Sequence, residues 1–405
     1  MFCIIKFIFF LLSSFTFGFV SLSRLLKIRS LILLIPLSVS FGIAAYVFTC
    51  HILSFLIGTQ KAAWLALFIM IIKTIFIFIT NRKDSSVIEK EISPIQLITV
   101  NIIAITICFL TFMAVSKFGT FDRESHIPIA MTMFHNNVYP PRDCFRPDYV
   151  LFYHYGGDLL AGAVQYITNL DISTSYELIA TILSGTTFLS FFALCWLLTS
   201  SFKTSLIAGF CAYFGGGLLW LDAVIRYLTK NFPEGAANWS FLQTFLNLGI
   251  HGGINNAPSV LTFISTFDLG NPLLICSLIL FWKMIQGKSI KSSIYFIFFL
   301  IPTLFILYLT ADWLYVTFWV TVLPFTFFLW KDNKKQLIIS TFIILFISIV
   351  LNKTIGNALF LQDPTQNLGR TNIFDVGIKE QLFSVVSWGR VTAHVMNYQT
   401  ISCFS

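Results

Sequence analysis

Long uninterrupted apolar runs recur along this chain, more of them than a soluble fold can hide from water. They lie near residues 2–20, 31–57, 62–80, 95–115, 174–198, 205–228, 271–286, 293–310, 313–330 and 336–351. A helix advances about 1.5 Å per residue, so about 20 apolar residues cross a hydrocarbon layer of about 30 Å. Strands of a membrane barrel would alternate polar and apolar residues instead of running continuously apolar. Charged residues make up only 11% of the 405 and hydrophobic ones 57%, too little polar side chain to coat a soluble domain of this length. The sequence therefore predicts an all-α protein, a polytopic transmembrane helix bundle of about ten spans with interfacial helices in one outer loop.

The net charge of +8 does not point to nucleic acid, because the basic residues concentrate in short connections between spans. These are Arg24, Lys27 and Arg29, then Arg82, Lys83 and Lys90, then Lys203, then Lys283, Lys288 and Lys291, then Lys331, Lys334 and Lys335. Basic connections of this kind stay on the cytoplasmic side of a membrane. All five fall on that side if the stretch 151–170 lies in the interface instead of crossing. The same assignment leaves residues 116–173, 229–270 and the tail from 352 on the outer face. It also puts the N-terminus outside, although Lys6 would favour the inside. Residues 1–351 then form one transmembrane helical domain, and 352–405 a short non-cytoplasmic tail. The eight cysteines show no CxxC or metal-ligand spacing, and only Cys144 and Cys403 are placed outside the spans, where a disulfide could join them.

The segment 116–173 is the only long stretch that combines acids, bases, histidine and tandem proline. Asp122 and Glu124 stand two apart beside His126, a spacing that turns two carboxylates to one site in an extended chain or turn but not on a helix. Such a pair suits a hard divalent cation, Mg²⁺ or Mn²⁺, or a general base with a neighbour that holds the metal. On the motif alone, solvated charges at a helix end are the simpler reading. Residues 127–135 can form a short helix, and Tyr139-Pro140-Pro141-Arg142-Asp143 must then turn the chain, because proline restricts both itself and its predecessor. Arg142, Asp143, Arg146 and Asp148 follow as partners for a phosphate, a lipid headgroup or one another. In the run from Leu151 to Ala163, helical spacing puts His154, Asp158 and Gln165 on one face, with Gly157 and Ala161 forming a small surface for close packing. A carboxylate facing lipid at the bilayer centre costs about 2.5–3.5 kcal/mol, so Asp158 is expected to face protein or a wet cavity.

Taken together, Asp122 to His126, Tyr139-Pro140-Pro141-Arg142-Asp143 and Leu151-Phe152-Tyr153-His154-Tyr155-Gly156-Gly157 resemble the signature stretch of the bacterial and archaeal YYY membrane-protein family. That family shows an acidic pair, a PP-x-D turn and an L-x-YYY-F-G run entering a helix. Here His154 replaces the middle tyrosine, and the residue between the last tyrosine and the first glycine is absent. The match is confined to this loop.

The family is similar in layout to class C glycosyltransferases, multi-span enzymes that take a sugar from a polyprenyl-phosphate carrier at the outer membrane face. The resemblance implies Asp122 and Glu124 as catalytic or metal-holding acids, with Arg142 and Asp143 in the PP-x-D turn. It leaves His126, Arg142, Asp143, His154 and Asp158 as the substrate-binding set. It further implies a lipid-linked sugar donor, an acceptor hydroxyl on a glycan, lipid or protein, and a bacterial or archaeal cytoplasmic membrane with the site facing outward. Class C enzymes often carry a larger outer domain where this chain has its tail, so the chain reads as a short or shortened member. No Gly-rich phosphate loop or Walker pattern occurs, and no nucleotide or redox cofactor is expected.

Two further features stand apart from that loop. His251 to Pro258 forms a polar turn, followed by a break at Asp268-Leu269-Gly270-Asn271-Pro272, and a broken helix at an interface often lines a cavity. With Asp158 and Asp222 near or within the membrane, this break supports a rival reading, a transporter or flippase of lipid-linked sugars.

Overall fold

A computed structural model of the protein describes residues 2–80, 92–118, 123–142, 155–214, 229–230, 269–286, 290–330, 335–352 and 354. Among them lie twelve helices and no strands. They are α1 (Phe2–Arg24), α2 (Leu31–Ile57), α3 (Thr59–Thr80), α4 (Pro94–Phe118), α5 (Arg123–Phe134), α6 (Gly156–Thr168), α7 (Ile172–Thr199), α8 (Phe202–Phe214), α9 (Gly270–Gln286), α10 (Ile290–Thr310), α11 (Asp312–Trp330) and α12 (Lys335–Leu351). Five of them, α1 to α4 and α7, are long and apolar enough to cross a membrane. Each expected span is met by a helix that begins within a few residues of its expected start; the stretch 215–228 lies outside the described residues.

The sense of each helix follows from what its side chains meet. Phe10 packs on Tyr46 and Phe17 on Phe41, so α1 and α2 are antiparallel. Phe41 meets Phe299 and Phe48 meets Phe305, so α2 and α10 run parallel. Phe281 meets Phe318 and Trp282 meets Phe325, which aligns α9 with α11. Tyr315, early in α11, meets Ser348, late in α12, at 2.9 Å. At the other end of the bundle the Arg24 guanidinium stacks over the Phe78 ring, 5.1 Å from its centroid. The starts of α1, α3, α7, α9 and α11 and the ends of α2, α4, α8, α10 and α12 thus share one face with α5 and α6, here called the loop face. The other ends of these helices share the opposite face, here called the basic face, where the described residues include Arg24, Lys27, Arg29, Lys203 and Lys283.

This alternation predicts the outcome of a labelling experiment. In a background lacking native cysteines, single cysteines at Ser86, Ser289 and Asn333 should be shielded from an impermeant thiol reagent. One at Asn136, exposed at the end of α5, should react. Reaction at Ser289 as fast as at Asn136 would put both positions on one side and break the assigned alternation.

Burial separates the central helices from those that face lipid. In its most apolar stretch α2 is 78% buried, against 33%, 28% and 22% for α1, α3 and α4. Trp64, Phe68, Ile72, Ile75, Phe76 and Ile79 of α3 are exposed, which in water would be an aggregating stripe and in a bilayer is the lipid-facing side. Without a hydrophobic drive between helices in lipid, close backbone approach replaces it. On α1 and α2, Gly18 lies against the Ser38 backbone and Gly42 against Ser14, so a Cβ at either glycine would overlap the facing carbonyl oxygen.

The short helices α5 and α6 have 12 and 13 residues. At about 1.5 Å per residue neither reaches across a hydrocarbon layer of about 30 Å, in keeping with an interfacial 151–170 segment. α6 is nonetheless buried along most of its length, touching α1, α2, α3, α5, α7 and α10. Its close-packing glycines are Gly156, against Leu309 and Thr310, and Gly162, against the Phe134 ring, whereas Gly157 is only half-buried. Ala161, the other half of the expected surface, packs with Ala130, Ile172 and Tyr176.

Candidate functional site: a pinned loop helix

α5 begins at Arg123, earlier than the 127–135 helix read from the sequence. The extended or turn geometry expected across Asp122 and Glu124 therefore does not hold at Glu124, which lies in the first turn of the helix. The reason is tertiary. Partners on α6 and α7 hold that turn, and such contacts override the local preference of a short segment.

Asp158 is the centre of this hold. Its carboxylate is fully buried, at 0% exposure, and His126 is at 2%. A carboxylate only accepts, so its partners donate. His126 Nδ1 donates across 3.0 Å to Oδ1 and 3.1 Å to Oδ2. The Tyr176 hydroxyl donates to Oδ1 at 2.6 Å and also lies 3.3 Å from the His126 backbone carbonyl. Three helices thus meet at one carboxylate: α5 through His126, α6 through Asp158 and α7 through Tyr176. A buried carboxylate is tolerable only when hydrogen-bonded or paired in this way. Tyr176 lies one turn inside α7, whose N-cap is made by Asp171 accepting from the amides of Ser173 and Thr174.

The C-terminal end of α5 is tied to α3. The Thr59 hydroxyl donates to the Met133 carbonyl and the Gln60 amide to the Phe134 carbonyl at 2.7 Å. The Asn137 side-chain oxygen lies 3.1 Å from the same Thr59 hydroxyl. These donors satisfy carbonyls that a helix end leaves without intrahelical partners. Beside α6, Gln165 donates to Met131 Sδ at 3.7 Å, so the face expected to carry Asp158 and Gln165 does turn toward protein.

A second group gathers on the loop face, where α2 and α10 end and α6 begins. His51 Nδ1 is hydrogen-bonded to the Tyr139 hydroxyl, and the His51 ring lies 6.1 Å from that of Tyr155 and 5.1 Å from that of Phe305. Tyr139 precedes Pro140 through a cis peptide bond, the turn expected from the tandem prolines. Tyr155, buried at 2% exposure, stands just before α6, and burial pushes its phenol above the ordinary tyrosine range.

Of the residues singled out in the sequence, the structure brings His126 and Asp158 into contact and leaves Arg142 exposed on the loop that follows Pro141. Asp122, Asp143 and His154 lie outside the described residues, as do Asp222 and the 251–258 turn, and of Glu124 only the helical backbone is described. Among the described residues no three His, Cys, Asp or Glu side chains converge as a metal site. Sequence reading missed Tyr176, Tyr139 and His51 as members. Tyr176 was hidden at the start of an apolar run. His51 carried a usable signal, since a histidine inside a span needs a polar partner.

Fold and site together define a polytopic helical membrane protein whose polar chemistry is organised at one face by a short, pinned helix. The chain belongs to the uncharacterized membrane protein family DUF2298, which matches residues 41–248, just over half its length. The matched stretch runs from α2 into the residues beyond α8 and contains α5, α6 and the loop between them. No curated protein and no solved structure matches the chain.

Proposed function

We propose that this chain is a membrane-embedded glycosyltransferase of the class C type, using a polyprenyl-phosphate-linked sugar at the loop face, which is the outer face by the positive-inside rule. The observation that carries this reading is α5: a short helix pinned at both ends on the loop face, with Glu124 in its first turn and Asp122 just before it in sequence.

In the reaction, an acceptor hydroxyl oxygen attacks the anomeric carbon of the sugar. The bond from that carbon to the phosphate oxygen breaks, and its electron pair leaves with the carrier phosphate. The acceptor's proton passes to Asp122 or Glu124, and Arg142 offsets charge on the leaving phosphate by charge-assisted hydrogen bonding. The donor supplies the energy, so no nucleotide or redox group enters. Mg²⁺ or Mn²⁺ belongs to this reading only as a ligand of the same two acids.

The test is a transfer assay on the purified protein in lipid nanodiscs, with radiolabelled polyprenyl-phosphate hexoses as donors and total membrane glycans and lipids as acceptors. Label is expected to leave the carrier and appear in an acceptor. If instead proteoliposomes move the intact labelled carrier between leaflets and no label ever leaves it, the protein is a flippase and the transferase reading fails.

A further inference from the structure

His126 and Asp158 read from the sequence as substrate-binding residues, yet their burial puts them out of a substrate's reach. At 2% and 0% exposure neither presents a surface to a ligand, and both carboxylate oxygens of Asp158 are already engaged by protein donors. What these contacts do is fix one object. α5 is only 12 residues long, carries Pro128 within it and has almost no amphipathic character of its own to seat it. Proline lacks the N–H that would bond the carbonyl four residues earlier, which is that of Glu124, so the first turn is the weakest part of the helix. That turn is where His126 reaches α6 and where its carbonyl meets Tyr176 of α7.

We infer that His126, Asp158 and Tyr176 are positioning residues that hold the first turn of α5, and with it Glu124, in a single register against α6 and α7. They act through geometry and not by proton transfer or substrate contact. The functional half of this inference rests on the transferase reading; the structural half does not.

Two substitutions separate geometry from charge. Tyr176→Phe keeps the ring and removes the hydroxyl that ties α7 to both Asp158 and the His126 carbonyl. Asp158→Asn keeps an oxygen to accept from Tyr176, and its amide can donate to His126 Nδ1 once the imidazole proton moves to Nε2, so the geometry survives while the negative charge goes. The experiment places a nitroxide spin label at Ser125, in a cysteine-free full-length chain in nanodiscs, with a second label at Lys203 on the opposite face as control. Sugar transfer is measured in the same samples.

Tyr176→Phe is expected to mobilise the label at Ser125 and not at Lys203. It should lower kcat about a hundredfold, the scale expected for misplacement of a reacting group by about 1 Å, with KM for the donor nearly unchanged. Asp158→Asn should leave the label immobile and transfer within a few fold of the parent. An immobile Ser125 label in Tyr176→Phe overturns the inference. So does loss of transfer in Asp158→Asn with the label still immobile, since that would make the charge, not the geometry, essential. If no preparation transfers sugar, the parent included, but Ser125 is still freed by Tyr176→Phe, the positioning role stands and the transferase reading falls.

Discussion

Replacing Asp158 with alanine should destabilise the folded protein by about 3 kcal/mol. The estimate follows from what the carboxylate holds: the substitution takes from His126 Nδ1 and from the Tyr176 hydroxyl the acceptor both share in a buried site, and leaves Tyr176 only its 3.3 Å contact with the His126 carbonyl. Loss of a buried hydrogen-bond partner costs about 1–3 kcal/mol, and the upper end applies because one carboxylate serves two donors. Asp171 provides the internal comparison, since it is an exposed N-cap that accepts from Ser173 and Thr174, and Asp171→Ala should cost only about 1 kcal/mol. Reversible unfolding in mixed micelles with increasing denaturing detergent would read both. Equal losses for the two carboxylates would mean that the Asp158 cluster adds nothing beyond an ordinary cap.

The spans were legible because lipid imposes one requirement on every residue of a run. Ten apolar stretches needed only length and continuity to be found, and the helices begin within a few residues of the expected starts. What the sequence did not disclose is pairing. Asp158 was expected to face protein, because a carboxylate facing lipid is too costly, but nothing in the run from Gly156 to Thr168 says that its partners stand 32 residues before it and 18 after. α5 begins at Arg123, which local spacing did not suggest, and its first turn meets Tyr176 through the His126 carbonyl. His126 was picked for its acidic neighbours, whereas its contact is with a more distant acid. In a bundle, the polar partner of a buried charge comes from another helix, and single-sequence periodicity carries no information about it.

Asp122→Asn and Glu124→Gln are expected to abolish most sugar transfer while the protein still folds. Both changes are nearly isosteric, so packing is preserved and only the ability to take up a proton or bind a cation is lost. Loss of a general base alone lowers the rate by about a hundredfold to ten-thousandfold. A solvated acid away from any site would behave differently, changing stability by no more than about 0.5 kcal/mol and leaving the rate alone. The measurement is initial-rate transfer from a labelled polyprenyl-phosphate hexose, with a stability reading on each variant by the same detergent titration. Asp332→Asn, in the short connection between α11 and α12, is the control. α5 makes the comparison informative, because its first turn is held by His126, Asp158 and Tyr176 and not by Glu124 alone, so the Glu124→Gln protein should keep the helix in place. Full activity in both loop variants would take the acidic pair out of the mechanism, and an equal loss in Asp332→Asn would trace the effect to folding instead of chemistry.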